Sequence, residues 1–170
     1  MSSIQNKFLI FLIILCYIPI LFLGLFDIDE GAFATTSLQM IKQKQYLIPI
    51  IGDELRLEKP ILTYWIQVVS MYAFGANEFA LRAPSIFSSF IWAYCFSNFV
   101  KQHNRNVHRS EIFLNLMTLP GVFIISFAAT ADAFLNLFIT LLMINLYNYS
   151  IKKEDKLLIW SGICVALGFL

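Results

Sequence analysis

The stretch that decides the fold is FLIFLIILCYIPILFLGLFDIDEG, Phe8 to Gly31, in which a long apolar run ends abruptly at a group of acids. The apolar part, Phe8 to Phe26, has about 19 residues and would span about 28 Å as a helix, at 1.5 Å per residue. That length fits the hydrocarbon core of a bilayer. It exceeds the apolar region of a secretory signal. We therefore predict a retained first transmembrane helix.

The composition is that of a membrane protein. Of the 170 residues, 59% are hydrophobic and 14% are charged, and 17 are phenylalanine. A soluble domain of this length would have too few polar side chains to cover its surface. The net charge of +1 gives no reason to expect a nucleic-acid partner. The three cysteines stand far apart in apolar runs, so the sequence indicates neither a zinc site nor a disulfide framework.

The apolar segments predict an all-α fold of polytopic transmembrane helices. After the first span we expect further spans at 79–100, 112–127 and 133–149, and a partial fifth at 157–170. The fold class is thus about four complete spans plus a truncated fifth, with two short interfacial helices in the first outer loop. We treat the whole chain, 1–170, as the N-terminal part of one membrane domain.

The outer loop, 27–77, has structure of its own. Gly31 to Gln45 is predicted as a short helix, followed by an extended segment around Pro49 and a turn at Gly52–Glu54. A second helix from Pro60 to Phe74 is too short to span a bilayer and is rich in Tyr and Trp. We expect this helix to lie in the membrane interface.

Basic residues set the orientation of the predicted spans. The loop at 101–109 contains three basic residues and no acid, and the loop at 152–156 contains three lysines. Loops rich in Lys and Arg remain in the cytoplasm. We therefore predict a multi-pass membrane protein with a cytoplasmic N-terminus and the acidic first loop outside.

Charged residues that could carry chemistry gather on this outer side. The candidates are Asp29, Glu30, Glu58, Lys59, Arg82 and Asp132. A carboxylate can act as general base on an acceptor hydroxyl. A lysine can hold a phosphate and stabilise it as it leaves. Arg82, near the outer start of the second span, is a further candidate for binding phosphate.

Each candidate also has a purely structural interpretation. The aspartates at 27, 29 and 132 could serve only as helix caps, where acids are favoured. The cations could do no more than extend toward lipid head groups. Glu58 could simply pair with Lys59 or Arg56.

Four motifs, in order along the chain, resemble the first part of the GT-C glycosyltransferases that use lipid-phosphate sugars. These motifs are DEGAFATTSLQM (29–40), LEKPILTYW (57–65), FGANEFALRAPS (74–85) and TADAFL (130–135). The family includes the bacterial aminoarabinose transferases of lipid A and the protein O-mannosyltransferases. The resemblance covers nearly the whole chain, and four ordered motifs are more specific than an isolated acidic pair.

The resemblance implies a role for each matching position. Asp29 corresponds to the catalytic acid that serves as base for the acceptor, and Asp132 to the second acid of the outer cavity. Lys59 corresponds to the lysine that binds the donor phosphate. Glu30, the usual neighbour of the catalytic acid, is expected to contact substrate. Glu58 corresponds to a position associated with metal or substrate, and a divalent metal is the one cofactor left open.

The implied function is an integral-membrane glycosyltransferase. It would transfer a sugar from a polyprenyl-phosphate donor to an acceptor, which could be lipid A, another glycan or a protein. Two features depart from the family pattern. Ile61 stands where a second proline is frequent, and family members have many more helices than this chain. This chain alone could therefore be inactive. The alternative is a truncated, non-catalytic remnant or a small membrane partner protein. A transporter is disfavoured, because its polar groups would lie near the bilayer midplane.

Overall fold

The computed structural model describes residues 11–13, 15–19, 21–25 and 28–170, and most of them are helical. The helices are α1 (Ile28–Gln43), α2 (Ile61–Phe74), α3 (Glu78–His103), α4 (Arg109–Thr118), α5 (Pro120–Phe127), α6 (Asp132–Lys152) and α7 (Asp155–Phe169). Residues 11–13 and 15–19 are also helical. The predicted first span, Phe8 to Phe26, lies partly outside the described residues, and Asp27 lies outside them.

The outer-loop region contains both predicted helices, and the predicted extended segment and turn between them form a paired β-hairpin. α1 begins at Ile28, earlier than the predicted Gly31, so that Asp29 and Glu30 lie in its first turn. The helix dipole favours acids at this end. α2 follows Pro60, as the sequence predicts.

A small β-hairpin connects α1 to α2. Strands β1 (Ile50–Ile51) and β2 (Glu54–Leu55) pair antiparallel, with Ile50 opposite Leu55. Gly52 has a φ of 63°, a conformation that glycine adopts at little steric cost. The Gln39 side chain on α1 forms two hydrogen bonds with Gly52: its Nε2 donates to the Gly52 carbonyl (2.7 Å), and its Oε1 accepts from the Gly52 N–H (3.1 Å). The fold is therefore mostly helical rather than purely α.

Helices α3 and α6 lie side by side and run in the same direction. Near their starts, Ser88 Oγ donates to the Ala133 carbonyl at 3.2 Å. Farther along, the rings of Phe99 and Tyr147 meet with centroids 5.2 Å apart. Because residue numbers rise together along the two helices, their N-termini share one end of the molecule and their C-termini share the other.

The segment predicted as a single helix over 112–127 is two helices in the structure. α4 and α5 meet at Leu119 and are bent by 76°. Leu119 has an extended backbone, with φ of −64° and ψ of 127°. The cause is Pro120, because a proline disfavours the helical conformation of the residue before it. Pro120 then begins α5, a position that suits its fixed φ.

Among the described residues, one helix is long and apolar enough to cross a membrane, namely α6. The bent pair α4–α5 passes the same test only if the two helices count as one span. α3 has 26 residues but carries Arg82, Lys101 and several buried serines, which lower its hydropathy. The polytopic arrangement predicted from the sequence therefore stays a prediction.

Apolar side chains on α6 are largely uncovered. In its most apolar stretch, 11% of the residues are buried. Exposed large hydrophobic side chains on this helix are Leu135, Ile139, Met143, Leu146, Tyr147 and Ile151. An apolar surface of this kind is what a helix presents to lipid or to neighbouring helices.

Candidate active site

A buried ion pair anchors the end of the molecule where the predicted site residues lie. Arg82 on α3 binds Glu30 on α1 through two contacts, Nη2 to Oε2 at 2.7 Å and Nε to Oε1 at 3.0 Å. Both side chains are 0% exposed. Arg82 also donates to the Leu23 carbonyl (2.6 Å) and the Gly24 carbonyl (3.0 Å). This bonding offsets the large cost of burying two charges.

At the same end, side chains from two helices form hydrogen bonds with both backbone polar groups of Ala129. The Ala129 N–H donates to Glu30 Oε1 at 2.8 Å. The Ala129 carbonyl accepts from Gln67 Nε2 on α2 at 2.9 Å. Gln67 Oε1 in turn accepts from Ser37 Oγ on α1 at 2.7 Å. The short segment 128–131 between α5 and α6 is thus tied to both α1 and α2.

Asp132 follows this segment directly and begins α6. Its side chain is exposed and accepts a hydrogen bond from Thr130 Oγ1 at 3.1 Å. The N-cap residue of α6 is Ala131, with no side-chain capping bond. Asp132 is therefore not the capping residue of its helix, and its carboxylate is accessible.

Arg56 joins two of the predicted acids. Its Nη2 lies 3.9 Å from Asp29 Oδ1, and its Nε lies 3.3 Å from Glu58 Oε1. The Arg56 side chain is 6% exposed, whereas those of Asp29 and Glu58 are 56% and 62% exposed. Its guanidinium also stacks over the Phe33 ring, 5.0 Å from the centroid. The result is a buried cation beneath two accessible carboxylates.

Sequence reasoning named Arg56 only as a possible partner of Glu58. Arg56 lies directly after strand β2, in a stretch whose polar residues predict a turn. No alternation of apolar and polar residues there indicates that the Arg56 side chain is buried. The nearest available signal was its place two residues before Glu58. The side-chain environment of Arg56 was visible only in three dimensions.

Tyr64 on α2 lies in the same cluster. Its side chain is fully buried, and its ring centroid is 5.1 Å from that of Phe33. Burial raises the pKa of the Tyr64 phenol above its usual value, and the nearby Arg56 charge opposes part of that rise. The phenol is therefore protonated at neutral pH.

Lys59 stands at the edge of this cluster, next to Glu58 and just before α2. The residue is half-buried. It forms no ion pair or hydrogen bond with any residue in the part of the chain that the structure describes. The binding of an anionic ligand by its ammonium group stays a prediction.

The structure brings some of the predicted residues together and leaves others apart. Arg56 joins Asp29 to Glu58, with Lys59 adjacent in the chain. Asp132 lies at the same end of the fold, since Ala131 before it packs against the cluster that contains Phe33 and Tyr64. Within the described ranges, no hydrogen bond or ion pair connects Asp132 to either Asp29 or Lys59.

The ion pairs of the structure bear on the substrate and metal roles predicted for Glu30, Arg82 and Glu58. Glu30 and Arg82 have no exposed side-chain surface, so neither offers a ligand an open group. Glu58 was the candidate metal ligand. Among the described residues, no three His, Cys, Asp or Glu side chains lie together as a metal site. The partner that the structure gives Glu58 is Arg56. The substrate and metal roles of these three residues stay predictions.

The fold and the site together define a mostly helical protein with an acid–cation cluster at one end of a largely apolar set of helices. Residues 58–170 match the family described as dolichyl-phosphate-mannose-protein mannosyltransferase, and the chain belongs to this family. No solved structure matches the chain.

Curated relatives extend the similarity over nearly the whole chain. The chain is 29% identical over 169 residues to the undecaprenyl phosphate-alpha-4-amino-4-deoxy-L-arabinose arabinosyl transferase of Wigglesworthia glossinidia brevipalpis, covering 94% of this chain and 29% of the relative. It is 29% identical over 177 residues to the enzyme of that name numbered 1 in Proteus mirabilis, covering 96% and 31%. For the Shewanella sediminis protein of the same name, the identity is 28% over 134 residues, covering 77% and 24%. The chain thus spans less than a third of the length of these relatives.

Proposed function

We propose that this chain forms part of an integral-membrane glycosyltransferase, which transfers a sugar from a polyprenyl-phosphate donor to an acceptor on the outer face of the membrane. The observation that carries the proposal is the cluster in which Arg56 underlies the exposed carboxylates of Asp29 and Glu58 beside Lys59. The family membership and the names of the relatives support it.

The proposed chemistry needs a base and an anion-binding group. The Asp29 carboxylate takes the proton of an acceptor hydroxyl, whose oxygen attacks the anomeric carbon of the donor sugar. The bond between that carbon and the phosphate oxygen breaks, and its electrons leave with the lipid phosphate. Lys59 stabilises the phosphate charge as it develops. Nearby apolar side chains lower the local dielectric and strengthen both interactions.

The remaining residues support this chemistry in different ways. Asp132 serves as the second acid of the cavity, and Glu58 lies beside the phosphate-binding lysine. We assign Glu30 and Arg82 to holding the site rather than to touching the substrate, because both are completely buried. A divalent metal near Glu58 stays a prediction.

The proposed orientation places this cluster outside the cytoplasm. Lys101 and Lys152 lie near the C-terminal ends of α3 and α6, far along the two parallel helices from Asp132. Retention of basic loops in the cytoplasm then puts the acidic end on the outer surface. There it meets its proposed partners, which are membrane lipid, the polyprenyl-phosphate sugar and an acceptor.

The proposal is tested by deleting the gene in the organism that carries it. Mass spectrometry of the lipid A, glycan and envelope-protein fractions would show which fraction loses a sugar, and thereby identify the acceptor. The complete gene should restore the sugar when it is supplied in trans. An unchanged sugar content in every fraction after deletion would contradict transferase activity and favour the non-catalytic alternative.

Two variants test the assigned roles in the complete protein. Asp29→Asn removes the base and Lys59→Ala removes the phosphate-binding cation, and each should lower transfer by on the order of 100-fold or more. The matched controls are Asp53→Asn and Lys42→Ala, which change exposed residues away from the cluster and should leave transfer near the wild-type rate. Wild-type transfer by either site variant would contradict its role.

A further inference from the structure

We propose that Gln67 is a positioning residue that fixes Asp132 in place, an inference that rests on the proposed function of Asp132 as the second acid. Gln67 lies on α2 and is fully buried. It touches no surface that a substrate could reach. Its effect on the reaction must therefore pass through the residues to which it is bonded.

Both ends of the Gln67 amide are used. Ser37 Oγ donates to Oε1 at 2.7 Å, which leaves Nε2 to donate to the Ala129 carbonyl at 2.9 Å. On the other side of Ala129, the N–H donates to Glu30 at 2.8 Å. A buried peptide group without such partners carries a substantial free-energy cost. Ala129, which is 0% exposed, is therefore held at both of its backbone polar groups.

The position of the segment leading to Asp132 depends on these two hydrogen bonds to Ala129. Residues 128–131 lie between the end of α5 and the start of α6 and belong to neither helix. Their position is set by the bonds from Gln67 and Glu30 to Ala129, and Thr130 then donates to Asp132. A displacement of about 1 Å in a catalytic group can cost on the order of 100-fold in rate.

The discriminating variant is Gln67→Leu, which substitutes an apolar side chain of similar size and thereby removes both hydrogen bonds. It leaves the buried Ala129 carbonyl without its donor and should loosen the segment 128–131. Gln39 supplies a matched control, because both ends of its amide are also used: Nε2 donates to the Gly52 carbonyl in the hairpin, and Oε1 accepts from the Gly52 N–H. Gln39→Leu should loosen the hairpin and leave the segment before Asp132 unchanged.

The first measurement does not depend on activity. Hydrogen exchange of the complete protein in detergent should show faster deuterium uptake in a peptide covering 128–132 for Gln67→Leu than for the wild type. Gln39→Leu should show faster uptake only in a peptide covering the hairpin. Ser37→Ala, which keeps the bond from Gln67 to Ala129, is a milder second variant and should give an intermediate increase at 128–132.

The second measurement separates positioning from general damage. Gln67→Leu should lower kcat by on the order of 100-fold with KM near the wild-type value, because donor binding at Lys59 is left intact. Wild-type exchange at 128–132 in Gln67→Leu would overturn the inference, and so would faster exchange there with an unchanged kcat. If the wild-type protein transfers no sugar, the proposed function fails, while the exchange data still decide whether Gln67 holds this segment.

Discussion

Arg56 shows how a single side chain can organise a site without being exposed to a ligand. Its guanidinium is planar, stacks on the Phe33 ring and brings Nη2 near Asp29 and Nε near Glu58. Arginine suits this place better than lysine, since its fork can face two carboxylates while its flat face packs on an aromatic ring. The two acids would otherwise stand near each other without a shared cation.

Replacement of Arg56 should therefore weaken transfer without abolishing the fold. We expect Arg56→Gln to lower kcat/KM by on the order of 10-fold to 100-fold, as is typical for a residue that orients functional groups. Arg56→Lys should fall between this variant and the wild type, because it keeps the charge but loses the stacking and the fork. Arg105→Gln, an exposed arginine at the opposite end, is the control. A wild-type kcat/KM for Arg56→Gln would refute the organising role.

The sequence named both exposed and buried candidates, but it did not show that Glu30 and Arg82 are buried and bonded to each other. Asp29, Glu58 and Lys59 were predicted at one surface from their places after apolar segments and in family-like motifs. The pairing of Glu58 with Arg56, two positions away, was one of the predicted alternatives. The contact of Arg56 with Asp29 and the hydrogen bonds of Gln67 could not be predicted, because they join residues that are 27 or more positions apart in the chain. Neither helical nor strand periodicity encodes such long-range pairings.

Helices α1 and α3 are connected by the buried pair of Glu30 and Arg82. The Arg82 guanidinium donates hydrogen bonds to Glu30 and to the backbone carbonyls of Leu23 and Gly24. Removing one member of a buried ion pair leaves the other charge without compensation, at a cost of about 3 to 5 kcal/mol. The pair therefore fixes the position of α1 relative to α3.

A double-mutant cycle measures this link. Glu30→Gln and Arg82→Met should each lower the free energy of unfolding by about 3 kcal/mol or more. The double variant should lose less than the sum, because the second substitution removes the charge that the first left unpaired. Thermal or denaturant unfolding of the complete protein in detergent gives these values.

The exposed pair of Glu154 and Lys156 is the matched control for that cycle. Its atoms are 2.6 Å apart, but the side chains are 41% and 71% exposed. Surface pairs of this kind contribute about 0 to 1 kcal/mol. Additive losses at Glu30 and Arg82, or losses as small as those at this control pair, would show that the buried contact does not join the helices.

The helices themselves were the most predictable elements. α2, α3 and α6 lie close to their predicted bounds, because a long apolar run bounded by polar residues leaves little freedom in where a helix can form. The two misses have local causes. Pro120 breaks the helix predicted over 112–127, and that signal was present in the sequence. The β-hairpin depends on pairing between two very short strands and on the hydrogen bonds with Gln39. The sequence predicts the extended segment and the turn, but neither the strand pairing nor these bonds.

For the whole molecule, the central feature is a separation of charge along two parallel helices. α3 and α6 begin at the end that holds Glu30, Arg56 and Asp132, and they finish near the basic segments at 101–109 and 152–156. The order of apolar and charged segments predicted this polarity. The number of complete spans was less predictable, because the buried serines and Arg82 of α3 make it more polar than a single isolated span would be.

The most direct test of the account asks whether the candidate residues share one membrane surface. In a background without the native cysteines, Asp29→Cys, Lys59→Cys, Asp132→Cys and Asn104→Cys would be made one at a time in the complete protein. Each would be treated in intact cells with a thiol reagent that does not cross membranes. We predict labelling from outside at positions 29, 59 and 132, and at position 104 only after the membrane is permeabilised. Labelling of positions 29 and 132 from opposite sides would contradict the account.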